Sequence, residues 1–155
     1  MPDCENLHDE VISYFSSRFG VAREALDKLT YTERGGEEVW ATSAPTPTGI
    51  VSSRPAGVRI LRRMPHGFKP TTVFLCILGG HITASRMEIE DVSVMKQLLL
   101  GQPVACALDD GYFAISFRGD ILGCGVAKGM KARALIPTQK RRVLLGCLES
   151  ERALS

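Results

Sequence analysis

The chain has 155 residues, 45% hydrophobic and 23% charged, with a formal net charge of +2, an ordinary globular balance at a length that suits one good core or two small ones. No apolar run approaches the roughly 18 residues that span a bilayer, and Asp3, Glu5, Asp9 and Glu10 make the start acidic where a secretory leader is basic. Cys4, Cys76, Cys106, Cys124 and Cys147 are scattered without a Cys-x-x-Cys pair, which argues against a disulfide framework and for reduced thiols in a cytoplasmic protein.

Leu7, Val11, Tyr14, Phe15 and Phe19 recur at a spacing of three to four, with acids in the first turn, and predict a helix over residues 7–19 that Gly20 stops. Good helix formers predict a second, short helix over 22–29. Residues 30–34 and 37–42 flank Gly35-Gly36, a hairpin signal, with Trp40 placed as a core or seam aromatic. Residues 43–55 form a proline- and serine-bearing connector, followed by a predicted strand over 56–63 and a turn at Met64-Pro65-His66-Gly67. Pro70-Thr71-Thr72 starts a helix-like segment, although residues 72–78 fit a helix or a buried strand equally by periodicity. Gly79-Gly80 then divides the chain into lobes of residues 1–80 and 81–150.

The second lobe opens with a predicted strand over 82–89 and a helix from Glu90-Asp91 through Leu100, ended by Gly101. Residues 104–108 and 112–117 are expected to pair across Asp109-Asp110-Gly111. From Phe117 to Val143 the sequence reads as strand-like pieces joined by glycine turns. Gly123 and Gly125 disfavour a helix interior, and from 130 to 136 Lys131 and Arg133 alternate with Met130, Ala132 and Ala134, the period of a half-buried strand with a charged face. Pro137 closes that strand, and the remainder, with Lys140-Arg141-Arg142, reads as turn and tail. The predicted class is α+β: an N-terminal mixed α/β lobe, then a small, partly closed β-barrel.

Charge is segregated along the chain. Residues 1–40 carry nine acidic and four basic side chains, the rest eight acidic and fifteen basic. Residues 54–86 and residues 121–142 each contain six Lys or Arg and no acid. Such an imbalance favours an anionic partner, and cations on a strand edge beside glycine-exposed backbone suit a polyanion.

Enzyme signatures are weak. Leu122-Gly123-Cys124-Gly125 resembles the first glycine motif of adenosylmethionine-dependent methyltransferases, but the alternating strands and helices such a fold requires do not follow. The spacing of Gly123, Gly125 and Gly129 is not the dinucleotide pattern either. His8, His66 and His81 lack metal-ligand spacing, and turn chemistry accounts for Asp109-Asp110. The expectation is a non-catalytic chain with no cofactor and no metal.

The segment 82–143 resembles a PUA domain, the RNA-binding barrel named after pseudouridine synthases and archaeosine transglycosylases. The resemblance rests on Ile89-Glu90-Asp91 opening a helix that ends Leu99-Leu100-Gly101-Gln102-Pro103-Val104, and on Leu122-Gly123-x-Gly125-x-x-Lys128. It is closest to the variant in Sun-family RNA cytosine methyltransferases, whose Pro-Lys-x-x-Arg-like ending is here Pro137-Thr138-Gln139-Lys140-Arg141-Arg142. Phe19-Gly20-Val21, the Trp40 strand, residues 57–62 and Phe68-Lys69-Pro70-Thr71 are similar to the pre-PUA lobe of small ribosome-assembly factors. The resemblance implies binding to structured rRNA or tRNA in ribosome biogenesis or RNA modification. The expected phosphate contacts are Lys128, Lys131, Arg133, Lys140, Arg141 and Arg142, extended by Lys69 and Arg86, with RNA approaching the backbone at Gly123 and Gly125. The alternative is a protein-interaction subunit that docks through its acidic N-terminal helices on an RNA-modifying enzyme or pre-ribosome. A membrane partner is not expected, and a small enzyme with an unrecognised site ranks last.

Overall fold

The structure is a computed structural model that describes residues 4–43 and 57–154. The 43–55 connector, Arg54 and the predicted strand start at Ala56 therefore fall wholly or almost wholly outside the described residues.

Helix α1 (Cys4–Phe19) buries Leu7, Val11, Phe15 and Phe19 along the face read from the sequence. Its end is an αL closure: Gly20 has φ +63° and its N–H donates to Ser16 O, while Val21 N–H donates to Phe15 O. Helix α2 (Arg23–Asp27) is shorter than expected. Strands β1 (Thr30–Arg34) and β2 (Glu38–Thr42) form the Gly35-Gly36 hairpin, and both glycines have positive φ. Strand β3 (Val58–Met64) and strand β4 (Gly67–Pro70) complete an antiparallel sheet in the order β1-β2-β3-β4. The segment left open between helix and strand is helix α3 (Thr72–Leu78), capped by Thr71, whose hydroxyl accepts from Phe74 N–H at 3.2 Å.

After a short 3-10 turn at Gly79–His81 comes β5 (Arg86–Ile89), about half the predicted strand. Helix α4 (Val92–Leu99) is capped by Asp91. Strands β6 (Val104–Ala105), β7 (Gly111–Phe117), β8 (Asp120–Lys128) and β9 (Lys131–Ala134) follow. The sheet order is β5-β7-β8-β9-β6, with β5 parallel to β7 and the other pairs antiparallel, and it curls into half a barrel. The α+β class, with an α/β lobe followed by a small curled barrel, is as read from the sequence.

Two expectations fail. Residues 104–108 do not pair with β7: β5 and β8 already occupy both edges of β7, and β6 instead pairs with β9 through Val104↔Ala132 and Ala105↔Lys131. The tail after Pro137 is helix α5 (Thr138–Leu154), which packs Leu144, Leu145 and Leu148 against the barrel core beside α4.

The period of two sorts the half-barrel into two faces. Phe113, Ile115, Ala127 and Ala132 point into the core under α4 and α5. Tyr112, Ala114, Cys124 and Leu135 point the other way and join the core built by α1, α3 and the first sheet. The lobes are pinned across this seam. Thr72 Oγ1 accepts from Cys124 N–H at 3.1 Å, and Thr83 and Ala84 N–H groups donate to Phe19 O at 2.9 and 3.0 Å.

Candidate nucleic-acid interface

The upstream basic run is opposed in space by the acidic N-terminal part. Arg59 pairs with Glu38 at 2.8 Å, Arg62 with Glu37 at 3.6 Å, and Arg63 with both Glu10 and Glu33 at 3.1 Å. Hydrogen bonding to Glu33 holds the Arg63 pKa above its ordinary value, against the opposing pull of burial. Much of the charge segregation along the sequence is thus cancelled by contact between the halves.

Arg86 is held within its own sheet. Its guanidinium is engaged by Glu88, by Ser116 Oγ at 3.2 Å and by Ile82 O at 3.1 Å, on β5 at the far edge of the second sheet from β9. Ser116, fully buried, also donates to Glu88 at 3.0 Å. The network ties the edge strand β5 to β7.

The downstream run behaves differently: none of Lys128, Lys131, Arg133, Lys140, Arg141 and Arg142 forms an ion pair among the described residues. Lys128, Lys131 and Arg133 are exposed and share one face of the β8–β9 hairpin, with Lys128 directly opposite Lys131 and Arg133 opposite Val126. Gly129 (φ +58°) and Met130 (φ +65°, 70% exposed) form the tip, and Asp110 Oδ1 accepts from Gly129 N–H at 3.0 Å. Asp110 thus braces the β8–β9 turn and not a hairpin turn of its own.

Lys140, Arg141 and Arg142 do not form one contact patch, because consecutive helical residues point about 100° apart. Lys140 Nζ reaches Cys76 Sγ at 3.2 Å, Arg141 donates to Thr138 Oγ1 at 3.2 Å and lies beside Gly101 past the end of α4, and Arg142 is exposed. A cation at the C-terminus of α4 is favoured by the helix dipole.

Gly123 and Gly125 are buried, and their backbone is covered by the chain's own side chains. A Cβ at Gly123 would meet Ile136 and Thr72, and one at Gly125 would meet the Phe113 ring and Arg133 O. Close packing across the half-barrel is itself a reason for both glycines.

Lys69 lies in a cleft of about 220 Å³ between the lobes. Arg59 and Arg62, which sequence reasoning left out of the candidate set, line it with Lys69, while Pro70, Val73, Leu135 and Pro137 supply apolar wall. Arg62 and Lys69 are direct partners in the β3–β4 ladder, a cue visible in the sequence once the hairpin at residues 64–67 is drawn. Cys124 at the cleft has its thiol pushed up to about 12 by burial, with Lys69 pulling weakly the other way. It is a neutral packing group. No cluster of His, Cys, Asp or Glu that could hold a metal occurs among the described residues, and no helix among them is long and apolar enough to cross a membrane.

Residues 5–52 match the model of a family of unknown function (DUF7122), a stretch that includes most of α1 together with α2, β1 and β2. No curated protein matches the chain.

Proposed function

We propose that this chain is a non-catalytic RNA-binding protein, a pre-PUA-like lobe with a PUA-like half-barrel, that engages structured rRNA or tRNA in ribosome biogenesis or RNA modification. The observation that carries this reading is the hairpin face on which Lys128, Lys131 and Arg133 stand exposed without a carboxylate partner among the described residues. Phosphates relieve the repulsion between such cations and release counterions on binding. Contacts of this kind position RNA without reading its bases, so selectivity rests on RNA shape. Several acids of the N-terminal helices, which a protein-docking reading would make its partner face, are paired within the chain: Glu10 holds Arg63, and Asp9 and Asp27 lie 3.5 and 3.9 Å from Arg23.

The test is fluorescence anisotropy with total tRNA and rRNA fragments across a salt series. The expected log–log slope is steep, and the Lys128→Ala/Lys131→Ala/Arg133→Ala variant reduces it by about 0.7–0.9 per lost phosphate contact. No binding at low salt overturns the reading and favours a protein partner.

A further inference from the structure

We infer that the cleft between the lobes receives one unstacked nucleotide of the bound RNA, its phosphate on Lys69 and its base against Val73, Leu135 and Pro137. The inference rests on the RNA-binding reading and adds to it a second site of different chemistry from the hairpin face.

Three observations carry it. First, Arg62 and Lys69 are direct cross-strand partners, so two cations sit side by side, and the Glu37 carboxylate at 3.6 Å from Arg62 is the one ion pair they share among the described residues. Like charges opposite each other weaken a ladder, and an anion between them removes that penalty. Second, the walls suit a flat apolar group. Val73 is 52% exposed despite being a large hydrophobic, and it lines the cleft with Leu135 and Pro137. At about 220 Å³ the cleft is smaller than the roughly 300–1,000 Å³ of drug-sized ligand sites, which favours a single monomer unit. Its inner polar groups are already paired: Thr72 Oγ1 accepts from Cys124 N–H, and the Thr71 hydroxyl donates to Arg59 O at 2.8 Å. The Lys69 charge is what remains unanswered.

Third, the cleft continues the hairpin face. Lys131, Arg133 and Leu135 alternate onto the same side of one extended segment, so Arg133 lies about 7 Å along the chain from the cleft wall. An RNA strand whose phosphates follow Lys131 and Arg133 arrives at Leu135 with its next base free to turn in. Loops and bulges in folded RNA supply such splayed bases, and Arg planes such as those of Arg59 and Arg62 stack on them.

The experiment compares an RNA hairpin carrying an unpaired loop with a blunt duplex of the same stem, titrated against the full chain by anisotropy at one salt concentration. Lys69→Ala removes the charge, and Val73→Trp fills the cleft from an exposed position. Each is expected to weaken loop binding about tenfold and to leave duplex binding within twofold. The Lys128→Ala/Lys131→Ala/Arg133→Ala variant should weaken both RNAs alike. If both cleft variants bind the loop as the wild type does, or lose loop and duplex equally, the nucleotide site is overturned while the RNA-binding reading stands. If the wild type binds neither RNA, both fall.

Discussion

Lys128 and Lys131 face each other across the β8–β9 ladder, two like charges at the closed end of a hairpin with no carboxylate paired to either among the described residues. Arg62 and Lys69 form a second like-charge cross-strand pair in the first sheet, where Glu37 at 3.6 Å answers Arg62 and leaves Lys69 without a carboxylate among the described residues. Like charges directly opposite each other destabilise a ladder. Folding tolerates that cost at two places joined by one strand face, which is the pattern expected where an anion supplies the missing charge.

Reversing one of these charges should therefore move stability and binding in opposite directions. Lys131→Glu is expected to raise the melting temperature by a few degrees or less. The same variant should lower RNA affinity and flatten its salt dependence. Paired thermal melts and anisotropy titrations check this; a lower melting temperature with unchanged affinity would contradict the account of the hairpin face.

Gly125→Ala acts on the fold. Its Cβ would be driven into the Phe113 ring and to 2.9 Å from Arg133 O, and backbone cannot yield as the end of a flexible side chain can. Overpacking of this kind costs about 1–3 kcal/mol. Denaturant unfolding should show the midpoint falling at unchanged slope. A fully stable variant that loses only RNA binding would restore the phosphate-approach role read from the sequence.

Arg86 should matter to the sheet edge and not to the ligand. Arg86→Ala leaves the Ser116 hydroxyl and the Glu88 carboxylate without their cation, a charge-assisted network worth about 1.5–3 kcal/mol. Arg86→Lys should recover only part of it, since an ammonium cannot reproduce the guanidinium fork. The salt dependence of RNA binding should be the same in all three proteins, and a reduced slope in Arg86→Ala would place this residue back on the track.

The alkaline limit of stability should carry a contribution from Cys124. Burial raises its pKa from 9.0 to about 12, so the folded chain keeps a proton that the unfolded chain has released. The associated stability is complete below about pH 9 and is lost as pH rises toward 12. Tyr14 and Tyr31, both raised chiefly by burial, act with the same sign at higher pH. Unfolding free energies for wild type and Cys124→Ala between pH 8.5 and 11 should show a shallower decline in the variant, whatever its starting stability. Parallel curves would show that the thiol ionises alike in both states.

At the acid end the N-cap of α4 sets the sign. Hydrogen bonds from Ser93 hold the Asp91 carboxyl below its ordinary pKa. A depressed carboxylate stabilises above its unfolded pKa, and that contribution disappears as pH falls through the folded one. Asp91→Ala should lower the melting temperature at neutral pH and flatten its acid decline, whereas Asp91→Asn should keep the cap without the pH dependence. Thermal melts from pH 6 down to pH 3 separate the two variants.

Where sequence reasoning failed, the missing information was non-local. The Asp109-Asp110-Gly111 signal marks only the bend that enters β7, and such a signal cannot say which strands will pair once β5 and β8 hold both edges of β7. Helix α5 was legible in principle. Leu144, Leu145 and Leu148 have helical spacing, but Lys140-Arg141-Arg142 ahead of them and Gly146 among them broke the pattern. Strand β4 was hidden by its length of four residues and by the proline that ends it.

The sequence by itself determined the apolar stripe of α1, the Gly35-Gly36 hairpin, and the face on which Lys131 and Arg133 stand, because periodicity and turn chemistry act between near neighbours. Tertiary structure alone decided which of the charges were answered. Arg63 finds Glu10 from 53 residues away and Arg86 finds Ser116 from 30, so two runs that look alike in sequence part company when folded. The upstream run is spent largely on ion pairs within the first lobe, with Lys69 left open in the cleft, while Lys128, Lys131 and Arg133 of the downstream run stay open on the hairpin. Coulombic pairing depends on distance in space, and only the folded chain sets that distance.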